Sequence, residues 1–243
     1  MGMIGVIELG LGGRGPKRGF VFDAHRLAFP CWAEAGRGNV LVTLDRHFDT
    51  VPPVNRVGRD AAPAELERFA HQQLDVRNYD HVLAAMDAGL LSHAVVIARG
   101  RPVGAVDGAS WVDSHGQRHE LISSATVDGL AADFGRGGAS GPSKRAEAVL
   151  REATGVILDV DLDCFTSQSD ADPTTVLPWP LEVIRQHVMP RGSEAFWEAV
   201  LGKCVALTFA REPGHCGGLV ASGRLFELAS RVIFEELLQT DLP

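Results

Sequence analysis

Several classes of partner are excluded by what this chain has little of. Lysine and arginine number 23 against 31 acidic residues, a formal net charge of -8. The basic patch that recognition of nucleic acid requires is therefore not to be expected, whereas a metal or a cationic substrate would be suited. No apolar run is long enough to span a bilayer. The first twenty residues are rich in glycine and carry their basic residues on the wrong side for a secretory signal, so the expectation is a cytoplasmic protein. Cysteine is scarce and scattered: Cys31, Cys164, Cys204 and Cys216 form no C-x-x-C pair. That spacing argues for reduced thiols and against a structural zinc site. No repeat, low-complexity tract or linker interrupts the 243 residues, 45% of them hydrophobic. Residues 1–243 therefore read as one domain with a sizeable core.

Short β-branched or leucine-rich runs alternate with helical stretches. Strands are expected at Ile4–Leu9, Phe20–Phe22, Asn39–Leu44, Ala94–Ala98, Gly155–Asp161 and Cys204–Phe209. Helices are expected at Pro63–Val76, Tyr79–Ala88, Pro142–Ala153, Leu181–Val188, Ser193–Leu201 and Gly223–Leu238. This alternation predicts an α/β fold with a mostly parallel sheet covered on both faces, and such sheets bind ligands beyond the carboxyl ends of their strands. One stretch departs from the pattern: Gly108–Ser123 reads as a hairpin, which makes His115 and His119 solvated side chains near its tip rather than metal ligands.

Gly10, Gly12 and Gly15 satisfy the spacing G-x-G-x-x-G. A dinucleotide site would need a helix to begin there, and Pro16, Lys17, Arg18 and Gly19 followed by a strand do not provide one. A loop is the better reading.

The chemistry gathers at strand ends. Leu41–Thr50 reads LVTLDRHFDT, which sets Asp45, His47 and Asp49 on alternate positions. Alternate residues of a strand face one way, so two carboxylates and an imidazole would crowd one strand end. Asp159, Asp161 and Asp163 do the same in VILDVDLDCF, Asp23 and His25 follow a short apolar run, and Glu212 and His215 follow the last strand. Crowded carboxylates in a partly dry site repel one another, and a divalent cation resolves that conflict. Oxygen and nitrogen donors suit Mn²⁺, Zn²⁺ or Fe²⁺.

These segments resemble the arginase or ureohydrolase superfamily. Asp45–Asp49 looks like its D-x-H-x-D signature, Leu158–Asp161 like its second signature, and His25 like its earlier histidine. The chain is more similar to a branch that includes peptide arginases, which convert arginine residues of ribosomally made precursor peptides to ornithine in natural-product pathways. The resemblance implies a three-layer α/β/α fold and a site for two Mn²⁺ ions. Asp45 and Asp159 would bridge both ions, His25 and Asp49 would complete one, and His47 and Asp161 the other. A hydroxide between the ions would attack the guanidinium carbon to give ornithine and urea. Glu212 resembles the glutamate that grips the guanidinium, and Asn78 and His81 an Asn-x-His substrate loop. His81 would then serve as proton shuttle, with His215 its rival. The family signature runs D-x-D-x-x-D-P where this chain has D-V-D-L-D-C-F, so Asp163 is either a supporting residue or a substitute ligand.

Two rival functions share the metal set. A zinc deacetylase of the same fold would use a tyrosine hydroxyl at the oxyanion, and this chain has one tyrosine, Tyr79. A non-catalytic metal-binding scaffold would bind manganese without releasing urea. As substrate the reading favours an arginine-containing precursor peptide over free arginine or agmatine, with Pro102–Gly116 and Thr166–Pro180 as candidate walls of a peptide groove. It expects no nucleic acid or membrane partner and leaves room for a homo-oligomer.

Overall fold

The computed structural model describes residues 3, 5–11, 16, 18–100, 104–105, 110–135, 141–172 and 174–239. Strands β1 (Val6–Gly10) and β2 (Arg18–Phe22) come first, then helix α1 (Ala28–Glu34) and strand β3 (Asn39–Asp45). Helices α2 (Pro63–Gln72) and α3 (His81–Asp87) lead to β4 (Leu91–Ala98), β5 (Ser110–Val112) and β6 (Arg118–Ser124). Helices α4 (Val127–Ala131) and α5 (Pro142–Glu152) precede β7 (Val156–Asp161) and a small hairpin of β8 (Thr166–Gln168) and β9 (Val176–Pro178). The chain closes with α6 (Leu181–Val188), α7 (Glu194–Leu201), β10 (Cys204–Ala210) and α8 (Leu219–Ser230), which continues as a π-helical segment Arg231–Leu237.

Eight strands form one sheet in the order β1-β2-β10-β7-β3-β4-β6-β5. The six inner strands are parallel, and β1 and β5 add antiparallel edges. Side chains alternate across each strand, so each face builds its own core. Val40, Val42 and Leu44 pack with Leu150, Phe196, Trp197 and Phe234 beneath α4–α8. Leu41, Ile157 and Ala206 pack with Phe29, Trp32, Phe69 and Met86 beneath α1–α3. The architecture is thus a three-layer α/β/α domain with a mostly parallel sheet. No helix among the described residues is long and apolar enough to cross a membrane.

Proline stands in the first turn of both α2 and α5, where its missing N–H has no intrahelical partner to lose. Several boundaries differ from the sequence expectation. Helix α1 was not anticipated, because five consecutive residues from Ala28 to Trp32 are buried and leave no polar stripe to read. Helix α3 begins at His81 rather than Tyr79, because Asn78 has a left-handed backbone (φ 62°) and the Tyr79 carbonyl accepts from the Val51 N–H. The hairpin at Gly108–Ser123 forms through β5 and β6, although residues 108 and 109 lie outside the described residues.

His119 corrects the expectation of a solvated side chain. Strand β6 also joins β4 in the main sheet, so His119 is fully buried between the Ser92 carbonyl, 2.6 Å from Nδ1, and Asp113, 3.1 Å from Nε2. His115 is exposed. Of the glycine-rich segment, residues 12–15 and 17 lie outside the described residues, and the strands on either side pair antiparallel. Of the expected groove walls, residues 102–103 and 106–109 likewise lie outside them, while Thr166–Pro180 contains the β8–β9 hairpin.

Candidate active site

Register between the central strands decides which acids meet. Thr43 on β3 is level with Asp159 on β7, which is level with Thr208 on β10. These three side chains form one polar row across the sheet, above the apolar row of Leu41, Ile157 and Ala206. Asp45 and Asp161 lie two residues further along, at the carboxyl ends of their strands.

The lower row is saturated internally. The Thr208 hydroxyl donates to Asp159 Oδ1, the Thr43 hydroxyl donates to Asp159 Oδ2 at 2.7 Å, and His25 Nε2 lies 2.8 Å from the same Oδ2. Burial raises the Asp159 carboxyl, but the His25 charge and these hydrogen bonds outweigh it and hold the group below its ordinary value. Asp159, expected to bridge two ions, lies against the far side of the His25 ring.

The upper level is the reverse. His25 Nδ1 has three carboxylate oxygens around it: Asp161 at 3.1 Å, Asp49 at 3.3 Å and Asp45 at 3.5 Å. His47 Nδ1 lies 3.2 Å from Asp163 Oδ2 and 3.9 Å from Asp45 Oδ1. Asp45 is therefore common to a grouping with His25 and Asp161 and to another with His47 and Asp163. Asp163 is brought in by the 3-10 turn Leu162–Phe165, its N–H donating to Asp161 Oδ1 at 3.1 Å while its own Oδ1 accepts from the Arg46 N–H at 3.2 Å. The Asp45, Asp49, Asp161 and Asp163 side chains are all nearly inaccessible to solvent.

Burial, and then the charges of neighbouring carboxylates, push Asp45 and Asp161 well above the ordinary carboxylate range. Burial raises Asp49 as well. Burial lowers His25, but Asp159 and Asp161 outweigh it and hold the imidazole well above its ordinary value. Contact with Asp163 raises His47. His25 Nδ1, Asp45 Oδ2 and Asp163 Oδ2 are buried without a hydrogen-bond partner. Orphaned acceptors of like charge beside imidazole nitrogens are the donor set a divalent cation satisfies, so the residues present fit a pair of such ions.

Glu212 sits at the rim, 6% exposed, with burial raising its carboxyl. Its Oε1 accepts from the His25 N–H at 3.0 Å and from the Asn78 side-chain amide, while Oε2 lies 3.7 Å from His215 Nε2. The neighbouring Arg211 pairs with Asp23 at 2.7 Å rather than with Glu212. His215 is half-exposed, and its ring lies 6.3 Å from that of His47.

His81, the other candidate shuttle, is fully buried behind His25, with ring centroids 4.3 Å apart, and its Nδ1 is 2.9 Å from the Asn78 carbonyl. Burial and then the His25 charge push it well below its ordinary value, so it stays neutral. Asn78 does not offer its amide outward, because both ends are engaged by protein. The sequence reading left Asp163 open and missed Thr43 and Thr208. A threonine inside a β-branched strand carries no signal until register sets it beside an acid.

No protein-family model and no curated protein matches this chain. Among solved structures it is similar to an arginase from Bacillus subtilis subsp. subtilis str. 168, at 14% identity and TM-score 0.46, over 92% of this chain and 70% of that one. An arginase from Bacillus cereus is similar at 14% identity and TM-score 0.43, over 87% and 67%. The agmatine ureohydrolase of Thermoplasma volcanium is similar at 16% identity and TM-score 0.37, over 86% and 59%. At these identities the likeness concerns the course of the chain and carries no residue roles.

Proposed function

We propose that this protein is a binuclear metal-dependent hydrolase that cleaves the guanidino group of arginine side chains in a peptide, giving ornithine and urea. Free arginine or agmatine is the alternative substrate. The observation that carries the reading is Glu212. It is a nearly buried carboxylate with one oxygen held by two protein donors and the other facing the half-exposed His215 imidazole at 3.7 Å, beside the acidic cluster. A planar cation with N–H donors is the group such an oxygen suits.

His25, Asp45, Asp49 and Asp161 would hold one ion and Asp45, His47 and Asp163 the other, with Asp45 shared. Two Mn²⁺ ions there would supply Lewis acidity and, at neutral pH, a nucleophile from water. Glu212 Oε2 would orient the guanidinium so that its carbon faces that nucleophile. As the bond from that carbon to the side-chain nitrogen breaks, His215 would give a proton to the departing amine. The water oxygen ends in urea and the side chain ends as ornithine. Thr43, Thr208 and Asp159 would keep His25 in the orientation its ligand nitrogen requires.

A second reading, deacetylation of an amide, has one observation in its favour. The ring of Tyr79 stands 6.2 Å from that of His47. One assay separates the readings: manganese-loaded protein with an arginine-containing peptide, free arginine, agmatine and an acetyl-lysine peptide in parallel. Urea from the peptide alone, with a product lighter by one carbon, two nitrogens and two hydrogens, is the expected result. Urea from arginine or agmatine alone would move the substrate to small molecules. Acetate without urea would overturn the reading in favour of the deacetylase.

A further inference from the structure

Four non-glycine residues among those described have a left-handed backbone, and three of them, Asp49, Asn78 and Glu212, stand in the candidate site. Such backbone is unfavourable for most L-residues, least so for Asn and Asp, and it collects where surrounding structure enforces it. Asn78 lies on the turn between α2 and α3, with its N–H donating to the Asp75 carbonyl at 2.9 Å. It is remote in sequence from every other site residue except His81.

Its side chain is fully committed. Oδ1 accepts from the Arg26 N–H and from Arg26 Nη1, both at 3.2 Å. Nδ2 donates to Glu212 Oε1. The orientation of the amide follows from these partners. Turned over, it would set its N–H groups against two donors and its oxygen against a carboxylate. Glu212 Oε1 also accepts the His25 N–H, so that oxygen is occupied from two sides. Rotation of the carboxylate is thereby blocked, and Oε2 is the oxygen left facing His215.

We infer that Asn78 is a positioning residue that locks the Glu212 carboxylate so that Oε2 alone addresses a guanidinium, and that it makes no substrate contact itself. This rests on the reading of Glu212 as the guanidinium-binding residue. Asparagine meets two demands at once. Glycine would accept the left-handed backbone but has no amide. Aspartate would accept it too but has no donor, and would set a second carboxylate against Glu212.

The test is a double-mutant cycle in full-length, manganese-loaded protein, using an arginine-containing peptide and agmatine as probes. Asn78→Asp is expected to raise KM about ten- to a hundredfold, the scale of a lost hydrogen bond to a charged group, with kcat much less affected. Asn78→Gly, which keeps the backbone and removes only the amide, is expected to fall between it and the wild type. It also serves if the aspartate variant folds poorly. In a Glu212→Gln background neither change should add to the loss already present, because the group they position has gone. Wild-type KM in both single variants would overturn the inference while leaving Glu212 in place. So would a full additional penalty on top of Glu212→Gln, which would mean that Asn78 touches substrate directly. Normal turnover by Glu212→Gln would instead overturn the Glu212 reading, and this inference with it.

Discussion

Neutralising Asp45 should stabilise the metal-free protein and at the same time abolish its stabilisation by metal. Asp45 is 2% exposed and faces Asp49, Asp161 and Asp163, with His25 as the nearest cationic group. Two like charges about 4 Å apart repel by about 4 kcal/mol at an effective dielectric near 20. Part of that is already relieved, because burial and the neighbouring carboxylates push the Asp45 carboxyl well above its ordinary range. Asp45→Asn keeps the shape and retains an oxygen for the His47 N–H, which now donates to Oδ1 at 2.7 Å. A net gain of about 1–3 kcal/mol is therefore expected without metal, as when active-site strain is relieved elsewhere. For a domain of this size that is a Tm higher by about 3–10 °C. Manganese at a hundredfold excess over its Kd should stabilise the wild type by about 2.7 kcal/mol per site. It should barely move the variant, whose shared ligand is impaired. Calorimetric scans with chelator and with manganese then give melting temperatures that cross. A variant that melts no higher than the wild type in chelator, or that gains as much from manganese, would refute the electrostatic account of this cluster.

Four further outcomes follow from the structure. Asp163→Asn should leave one manganese per chain instead of two and stop turnover. Asp159→Asn should keep both ions but lose about 1–3 kcal/mol, because one of Thr43, Thr208 or His25 loses its acceptor; metal content after gel filtration, beside a thermal melt, reads both, and the opposite pattern would return Asp159 to the ligand shell. Glu212→Gln should retain both metals and release urea far more slowly, since shape stays while the charge that pairs with a guanidinium goes. His187 is held down to about 4 by burial and then by Arg99, against an ordinary 6.5. Its folded value lies below its unfolded one, so its stability contribution is complete above about pH 6.5 and is lost as pH falls toward 4. That difference is worth about 3 kcal/mol, which urea midpoints at several pH values should reveal and His187→Phe should remove.

The layer order and most helices were legible because alternating runs of this kind have few arrangements open to them. The gathering of acids at strand ends was legible from period-two spacing. Depth along the strand was not. Asp159 and Asp161 lie on the same face of β7, and the sequence gives no preference between them as ligands. Pairing sets their depths apart, because Thr43 opposite Asp159 places Asp45 at the next level, where Asp161 and the turn bearing Asp163 also arrive. His119 was misread for a related reason: a hairpin tip looks solvated until β6 is known to continue into the main sheet.

Asn78 and His81 illustrate a different limit. Resemblance to a substrate loop brought both to notice, but what each does depends on which atoms remain free after neighbouring groups have taken their share. The backbone carbonyl of Asn78 fixes one nitrogen of His81, its amide fixes one oxygen of Glu212, and the Glu212 oxygen fixes the backbone of His25. Three segments distant in sequence are thus joined, with Glu212 Oε2 turned toward His215 at the rim and two buried atoms below it, His25 Nδ1 and Asp45 Oδ2, left without a hydrogen-bond partner. Exposing those atoms toward one another is unfavourable for folding, and the saturated row of Thr43, Asp159 and Thr208 beneath them offsets it. Loosening that row should therefore harm the site before it unfolds the domain. In Thr43→Val, metal affinity should fall at temperatures where the secondary structure is still intact; loss of both together would mean that the row serves the fold alone.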